Sequence, residues 1–100
     1  MAKININPVG FKTDSKLDEF IIKKLEKLTP LHEKIEAIDV NLKLEAKGKN
    51  NNKVADIRFI IPGEDIFVKK QSDTFEGAID ECAETLRRQL IKRKEKTYKK

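Results

Sequence analysis

The chain has 100 residues, of which 38% are hydrophobic and 39% charged, and its formal net charge is +5. This length fits one domain with one modest core. No apolar run approaches the roughly 18 residues that a membrane span needs, and residues 1–8 lack the hydrophobic stretch of a secretory signal. A single cysteine and a single histidine argue against a disulfide or a metal-binding cluster. We therefore expect a soluble, cytoplasmic protein without a membrane partner.

The first third of the chain predicts a strand and then a helix. Ile4 and Ile6 alternate with polar residues before Pro8, which is typical of a short strand. The helix is expected to begin at one of the capping residues 13–15. Its apolar residues follow the spacing of one helical face: Leu17, Phe20, Ile21, Leu25 and Leu28. Pro30 predicts the end of this helix, because a residue before proline avoids helical conformation.

Three more strands are predicted in the middle of the chain. The second strand has its core face at Ile38, Val40, Leu42 and Leu44, and the third at Ala55, Ile57, Phe59 and Ile61. A turn-rich loop over residues 46–52 separates them, and the turn at 62–65 leads into a fourth strand over residues 66–71. Most of the six aromatic residues are expected at core-facing positions, and only Tyr98 is clearly displaced; the six are Phe11, Phe20, Phe59, Phe67, Phe75 and Tyr98. The sheet therefore lacks the aromatic pattern of a base-stacking surface.

The last predicted helix begins as apolar and ends as basic. Asp73 is the expected N-cap, with Glu76 at capping-box spacing. The first part of one helical face is apolar and consists of Phe75, Ile79, Cys82, Ala83, Leu86 and Leu90. Farther along the same face the residues are polar or basic: Arg93, Lys96, Thr97 and Lys100. A helix whose core face becomes basic has to leave the sheet on which it packs, so we expect its last turns to project as a charged arm.

These elements predict an α+β fold of βαβββα order. Two helices with apolar faces and a half-buried sheet make a two-layer sandwich, with both helices on one face of four strands. The βββα portion is similar to double-stranded RNA-binding domains, which recognise the shape of the RNA helix. That similarity predicts recognition by shape and phosphate contacts, with little reading of bases.

The positive charge is concentrated at the end of the chain. Residues 1–86 have a net charge of −2, whereas residues 87–100 have a net charge of +7. Such a block either binds a polyanion or is a solvated terminal segment. A second basic group lies on the first helix, where Lys16, Lys23 and Lys27 share one sector and Lys24 borders the apolar face. If both groups face the same way, they form a clamp for a phosphate backbone.

No motif in the chain indicates catalysis. His32 is expected to be an exposed loop histidine, and Cys82 lies on an apolar helix face, where a free cysteine behaves as a small buried hydrophobe. The four glycines form neither a phosphate-binding loop nor a dinucleotide-binding motif. We therefore expect no enzyme activity, no cofactor, no metal and no small-molecule substrate.

Two stretches resemble the short bacterial ribosome hibernation-promoting factors and ribosome-associated inhibitors. Residues 73–80 (DTFEGAID) resemble that family's opening of the last helix, and residues 86–96 (LRRQLIKRKEK) resemble its L-x-R-Q-L-x-K-x-K-x-K ending. Weaker similarity lies at residues 24–28 and 54–56. The family has the same βαβββα order along nearly the whole chain.

The resemblance implies a bacterial ribosome-binding protein that acts in stationary phase or stress. Such proteins bind the small subunit between head and body, where they overlap the decoding-region sites of transfer RNA and the messenger RNA path. Matching positions imply an RNA-facing role for Lys24, Lys27, Arg88, Lys92, Lys94 and Lys96 and a structural one for Asp73, Phe75, Ala78 and Ile79. Together with the two basic groups, the predicted RNA-binding set is Lys16, Lys23, Lys24, Lys27, Arg87, Arg88, Lys92, Arg93, Lys94 and Lys96.

On this interpretation, residues 1–100 form a single ribosome-binding domain, and 91–100 form a basic arm that is helical or frayed. Thr85 stands where some relatives have a basic residue, and the hairpin tip 48–53 has no clear counterpart. We expect no C-terminal dimerisation domain and a monomer off the ribosome. Two alternatives stay open: a general binder of structured RNA, and a protein-interaction module that docks an acidic partner.

Overall fold

The computed structural model describes residues 3–45 and 52–98, with side chains as far as Arg93. In chain order, the elements are β1 (Lys3–Val9), α1 (Ser15–Glu26), a 3₁₀ segment (Thr29–Leu31), β2 (Ala37–Leu44), β3 (Lys53–Ile60), β4 (Ile66–Ser72) and α2 (Phe75–Tyr98). This is the predicted βαβββα order. Most of the predicted loop 46–52 and of the hairpin tip 48–53 lies outside the described residues.

The four strands form one mixed sheet in the order β1-β2-β3-β4. β1 is parallel to β2, whereas the β2–β3 and β3–β4 pairs are antiparallel. A parallel pair requires a crossover connection, and α1 provides it. Pro8 lies within β1, an edge strand of the sheet, which is where a proline is tolerated.

The core lies between the helices and one face of the sheet. Its buried strand residues are Ile38, Val40 and Leu42 in β2, Ala55, Ile57 and Phe59 in β3, and Ile66 and Val68 in β4. The helices contribute Leu17, Ile21 and Leu25 from α1, and Ala78, Ile79, Cys82, Leu86 and Leu90 from α2. The α+β class and the two-layer arrangement predicted from the apolar periodicity are confirmed.

Two strand residues expected on the core face are exposed instead. Phe67 is 51% exposed, because it precedes Val68 in β4 and successive strand side chains point to opposite faces. Val68 takes the buried position, so Phe67 lies on the open face of the sheet. Leu44 is 43% exposed; it has the core-facing phase but is the last residue of β2, and the core cluster along that strand ends at Leu42.

α1 begins as predicted but ends earlier. Asp14 is the N-cap, and its Oδ1 accepts a hydrogen bond of 2.8 Å from the amide of Leu17. The helix ends at Glu26, and the predicted end at Pro30 is about one turn late. Pro30 lies instead in the first turn of the 3₁₀ segment, where a missing N–H needs no partner.

α2 begins at Phe75, and the predicted N-cap is one residue too early. Thr74, rather than Asp73, directly precedes the helix, and its Oγ1 accepts a hydrogen bond of 2.9 Å from the amide of Gly77. A Cβ at Gly77 would lie 2.5 Å from Ser72 Oγ, so a larger residue there would have to displace the Ser72 side chain or the first turn of α2.

α2 is longer than the sheet on which it packs. Its 24 residues span about 36 Å at the rise of an α-helix. The strands have seven or eight residues and span about 26 Å. Among the side chains that the structure describes, Leu90 is the last buried apolar residue of α2, and the backbone continues as a helix for two more turns.

Candidate nucleic-acid interface

Three lysines of α1 form a solvent-facing row. Lys16, Lys23 and Lys27 are exposed. They are 7 and 4 residues apart, so their side chains project from nearly the same side of the helix. Within the described part of the chain, none of the three forms an ion pair or a side-chain hydrogen bond. Their ammonium groups are therefore available to an anionic partner.

The fourth predicted lysine of α1 has a partner inside the molecule. Lys24 Nζ lies 2.9 Å from Asp80 Oδ1 of α2 and 5.6 Å from the centre of the Phe20 ring. This ion pair links the two helices at the surface. Both side chains are about half exposed, so the pair adds at most about 1 kcal/mol to stability. Lys24 can contact a phosphate only if it shares or leaves Asp80.

The charges of α2 are segregated along the helix. Its first half carries the carboxylates of Glu76, Asp80, Glu81 and Glu84, and between Phe75 and Leu86 it has no basic residue. Its second half begins with Arg87 and Arg88 and is rich in lysine. Negative charge near a helix N-terminus and positive charge near its C-terminus both interact favourably with the helix dipole. The sequence pattern therefore also stabilises a long helix.

The cations of the second half have different surroundings. Arg87 and Lys92 are exposed, and Arg88 is exposed although its Nε lies 3.6 Å from Glu84 Oε2 one turn away. Arg93 is partly buried and donates from Nη1 to Glu64 Oε1 at 2.6 Å. For Lys94 and Lys96 the backbone is helical, but their side chains lie outside the described residues, as do Lys99 and Lys100.

The two basic groups are on neighbouring helices, and the half of α2 that contacts α1 is the acidic one. Phe11, just before α1, stacks on Phe75 at 5.0 Å, and Lys24 near the end of α1 reaches Asp80. α1 therefore runs alongside the acidic half of α2, and the arginines follow farther along. The predicted clamp has two separate parts.

Glu64 joins three elements near the base of the basic segment. Besides Arg93, it faces His32, whose Nε2 lies 3.6 Å from Glu64 Oε2. The His32 side chain is only 18% exposed, and its Nδ1 accepts a hydrogen bond from the amide of Lys34. The prediction of an exposed loop histidine is therefore wrong, since the ring is largely buried and both of its nitrogens face a polar group of the protein.

Cys82 is a buried residue of α2, as predicted. Loss of hydration in the core raises the pKa of its thiol from 9.0 to about 12, and Sγ lies 3.5 Å from the carbonyl oxygen of Ala55. A thiol with this pKa is protonated at neutral pH and is a poor nucleophile. Among the residues that the structure describes, no group of three or more His, Cys, Asp or Glu residues could hold a metal ion.

The open face of the sheet carries paired polar side chains on its inner strands and exposed apolar residues on both edge strands, Val9 on β1 and Phe67 on β4. Asn5 donates to Asp39 at 3.0 Å, and Asn41 donates to Asp56 at 2.8 Å, so neighbouring strands are also joined by their side chains. The guanidinium of Arg58 lies over the ring of Phe67 on β4, and its Cζ is 5.3 Å from the centre of that ring. Sequence reasoning placed this phenylalanine on the core face and missed the pair.

Sequence reasoning also missed Asp80 and Glu64, two carboxylates that bind predicted RNA-facing cations from a different element of the fold. Asp80 lies on the polar face of α2, where helical spacing alone indicates an ordinary surface carboxylate. Glu64 lies in a turn, 29 residues before Arg93. No local spacing signals either contact, because helical i,i+4 patterns report only pairs within one helix.

Comparison with known proteins identifies the family to which the chain belongs. The sequence profile of the family described as Sigma 54 modulation protein / S30EA ribosomal protein matches residues 4–98. The chain belongs to this family. The resemblance seen in the last helix is thereby confirmed, and the chain is a ribosome-associated, hibernation-type protein rather than an enzyme.

Two solved structures share the family's fold with this chain. A ribosomal subunit interface protein from Coxiella burnetii is 26% identical, with a TM-score of 0.80, over 92% of this chain and 97% of that one. The N-terminal domain of Thermus thermophilus Protein Y is 20% identical, with a TM-score of 0.77, over 92% of this chain and 98% of that one. Comparison with curated protein sequences gave no significant match. The predicted likeness to double-stranded RNA-binding domains is not confirmed by these matches.

Across the described ranges, no helix combines the length and the apolar composition that crossing a membrane requires.

Proposed function

We propose that this protein binds the small ribosomal subunit near the decoding region and inhibits translation by occupying the space of messenger and transfer RNA. It acts in starved or stationary cells, as the resemblance of its last helix to hibernation factors implies. The observation that carries the proposal is the second half of α2, where Arg87, Arg88 and Lys92 are exposed on a helix that continues past the described core.

The proposed contacts are with the phosphate backbone of ribosomal RNA. Arg87, Arg88, Lys92, Lys94 and Lys96 form the larger contact area, and the lysine row of α1 forms the smaller one. Arginine matches a phosphate with two parallel hydrogen bonds, whereas lysine acts as a point charge. Inhibition by occupancy needs no catalytic group; it needs a folded body that keeps its shape between the two contact areas.

The first test is co-sedimentation of the purified protein with small subunits, large subunits and whole ribosomes at two salt concentrations. We expect migration with the small subunit at low salt and loss of binding at high salt, because each neutralised phosphate releases counterions. Failure to migrate with the small subunit at either salt would overturn the proposal. Sedimentation without ribosomes tests the expected monomer.

Two triple variants distinguish the effect of the basic second half of α2 from the effect of positive charge in general. Replacing Arg88, Lys92 and Lys94 by glutamine is expected to weaken small-subunit binding by about tenfold or more and to flatten its salt dependence. The matched control replaces Lys3, Lys43 and Lys69, exposed lysines of the sheet, by glutamine. It removes the same charge and is expected to bind nearly as the parent does. Equal losses of affinity in the two variants would show that net charge, and not the basic second half of α2, determines binding.

A plain RNA duplex distinguishes ribosome binding from general RNA binding. We expect a large excess of duplex to compete weakly with the small subunit for the protein, because two separate contact areas require the shape of the ribosomal site. Competition by the duplex with equal affinity would favour a general binder of structured RNA.

A further inference from the structure

Glu64 holds the basic segment of α2 at its base. Its Oε1 accepts the 2.6 Å hydrogen bond from Arg93 Nη1, and its Oε2 faces His32 Nε2 at 3.6 Å. The carboxylate thus joins the β3–β4 turn to α2 and to the loop after α1. We call these three residues the clasp.

The turn that carries Glu64 is well defined. Its amide donates to the carbonyl of Ile61 at 3.0 Å, and Gly63 between them has a φ of +80°, as the third position of a type II turn requires. The next residue, Asp65, accepts a hydrogen bond from the amide of Ile61 at 3.0 Å and lies 3.8 Å from Arg58. The backbone of Glu64 is therefore held in place by the hydrogen bonds of this turn.

Arg93 is placed where the apolar core of α2 has ended. Leu90, three residues earlier, is fully buried, and Arg93 continues the same helical face. The helix-to-sheet contact thus changes from apolar packing to an ion pair at this point. Beyond it, residues 94–98 keep their helical backbone. A helix end held only by its own hydrogen bonds frays, so an anchor at Arg93 shortens the length that can fray.

We propose that Glu64 is a positioning residue for the RNA-contacting arm, and that Arg93 anchors the arm rather than binding phosphate. The clasp keeps the last turns helical and fixes their direction, so that the cations around Arg93 reach the RNA with less loss of conformational entropy. The role of the arm in binding rests on the function proposed above; the anchoring of the helix does not. Arg93 accordingly leaves the RNA-binding set.

The proposal predicts an unusual response to the loss of a negative charge. For an RNA-binding surface, removing a carboxylate ordinarily strengthens binding. Replacing Glu64 by glutamine is expected to weaken it, because the arm loses its anchor. If Arg93 were a phosphate ligand that Glu64 holds back, the same change would release it and raise the affinity.

The first measurement is amide hydrogen exchange of residues 94–98 in the free, full-length protein. We expect exchange to be about two- to fivefold faster in Glu64→Gln, the range for an exposed ion pair. The matched control is Glu33→Gln, which removes the same charge from an exposed position next to His32. It is expected to leave exchange unchanged. Unchanged exchange in Glu64→Gln would overturn the clasp whether or not the protein binds ribosomes.

The second measurement is small-subunit affinity at several salt concentrations for the same variants. Glu64→Gln is expected to bind about two- to fivefold more weakly than the parent, and Glu33→Gln as well as or better than the parent. A higher affinity for Glu64→Gln would overturn the assignment of Arg93 as an anchor. If the parent itself does not bind the small subunit, the proposed function fails while the exchange result still decides the clasp.

Arginine variants separate an anchor from a phosphate ligand. Arg93→Gln is expected to speed exchange of the arm while leaving the salt dependence of binding unchanged. Lys92 is its exposed neighbour, and Lys92→Gln is expected to reduce the salt slope, which is the steepness with which affinity falls as the salt concentration rises. It is expected to leave amide exchange of residues 94–98 unchanged. The charge-swapped pair Glu64→Arg with Arg93→Glu restores slow exchange if the ion pair is the anchor. A salt slope that falls as much for Arg93→Gln as for Lys92→Gln would contradict the proposal.

Discussion

Lys24 and Asp80 form an ion pair of 2.9 Å that connects the end of α1 to the acidic half of α2. The pair occupies a lysine that the resemblance to hibernation factors assigns to RNA contact. Asp80 is one of four carboxylates in that half of α2, and it alone is ion-paired with a described residue of α1. The surface of the two helices therefore carries both charges, and a carboxylate already pairs with a cation that the proposed RNA contact would use.

Replacing Asp80 by asparagine is expected to strengthen small-subunit binding by about two- to threefold at low salt, because it frees Lys24 and removes a negative charge. The free energy of unfolding is expected to fall by about 0.5 kcal/mol, the usual value for an exposed pair. Binding titrations and urea denaturation measure the two effects.

The matched control for Asp80 is Glu76→Gln, a carboxylate of the same helix that has no ion-pair partner among the described residues. It removes one negative charge without freeing a cation, so a smaller gain in affinity is expected. Equal gains in both variants would mean that Lys24 itself does not contact RNA. A lower affinity for Asp80→Asn would mean that Asp80 orients Lys24 for its contact.

The two phenylalanines of the β3–β4 hairpin are expected to respond very differently to truncation. Phe59 is fully buried, so Phe59→Ala is expected to lower the free energy of unfolding by about 3–5 kcal/mol. Phe67 lies on the open face, and Phe67→Ala is expected to cost only about 1 kcal/mol from lost contact with Arg58. Chemical denaturation of the two variants provides the comparison, and similar losses would contradict the assignment of Phe67 to the open face.

The Cys82 thiol is expected to resist alkylation in the folded protein at pH 8. Its pKa is raised from 9.0 to about 12 by burial, so the reactive thiolate is nearly absent. Labelling with a thiol reagent should therefore follow unfolding, and urea should accelerate it sharply. Rapid labelling without denaturant would contradict the buried position.

The same pKa shift predicts how stability depends on alkaline pH. The folded state disfavours the thiolate, so the contribution of this group is fully present below about pH 9 and is lost as the pH rises from 9 towards 12. Cys82→Ala removes the titration, and the stability of that variant is expected to fall less steeply over this interval. Parallel pH profiles for parent and variant would show that other groups account for the decline.

Gly77→Ala tests the close approach of α2 to β4. Alanine favours a helix interior by about 1 kcal/mol over glycine, but its Cβ would lie 2.5 Å from Ser72 Oγ. We expect a net destabilisation of about 1 kcal/mol. The double variant with Ser72→Ala is expected to recover part of the loss, and thermal unfolding of both variants measures the coupling. A more stable Gly77→Ala would show that the first turn of α2 shifts freely.

The elements of this fold could be predicted because their signals are local. Alternation at Ile38, Val40 and Leu42 indicates a strand, and the 3–4 spacing from Leu17 to Leu25 indicates a helix; both patterns report burial of one face. The boundaries were less accurate. Pro30 was expected to end α1, and Asp73 to cap α2, yet a 3₁₀ segment and Thr74 take those places. Where several capping residues follow one another, the packing around them determines which one becomes the N-cap.

The candidate site was only partly predictable from its charges. The exposed lysine row of α1 and the basic end of α2 follow from helical periodicity and composition. The partners of Lys24 and Arg93 do not, because Asp80 and Glu64 are distant in sequence and meet them only after the helices pack on the sheet. Phe67 shows the same limit, since an isolated apolar residue in a strand belongs to either face until its neighbours are placed.

The sequence by itself determined the class of fold, the two helical faces and the segregation of positive charge, since each depends on residues within a few turns of one another. Its last helix also carried the resemblance that the family profile confirmed. Only the tertiary structure decided which cations are free and which are held by carboxylates. An ion pair such as Glu64 with Arg93 depends on the three-dimensional distance between two segments, and no local pattern of residues encodes that distance.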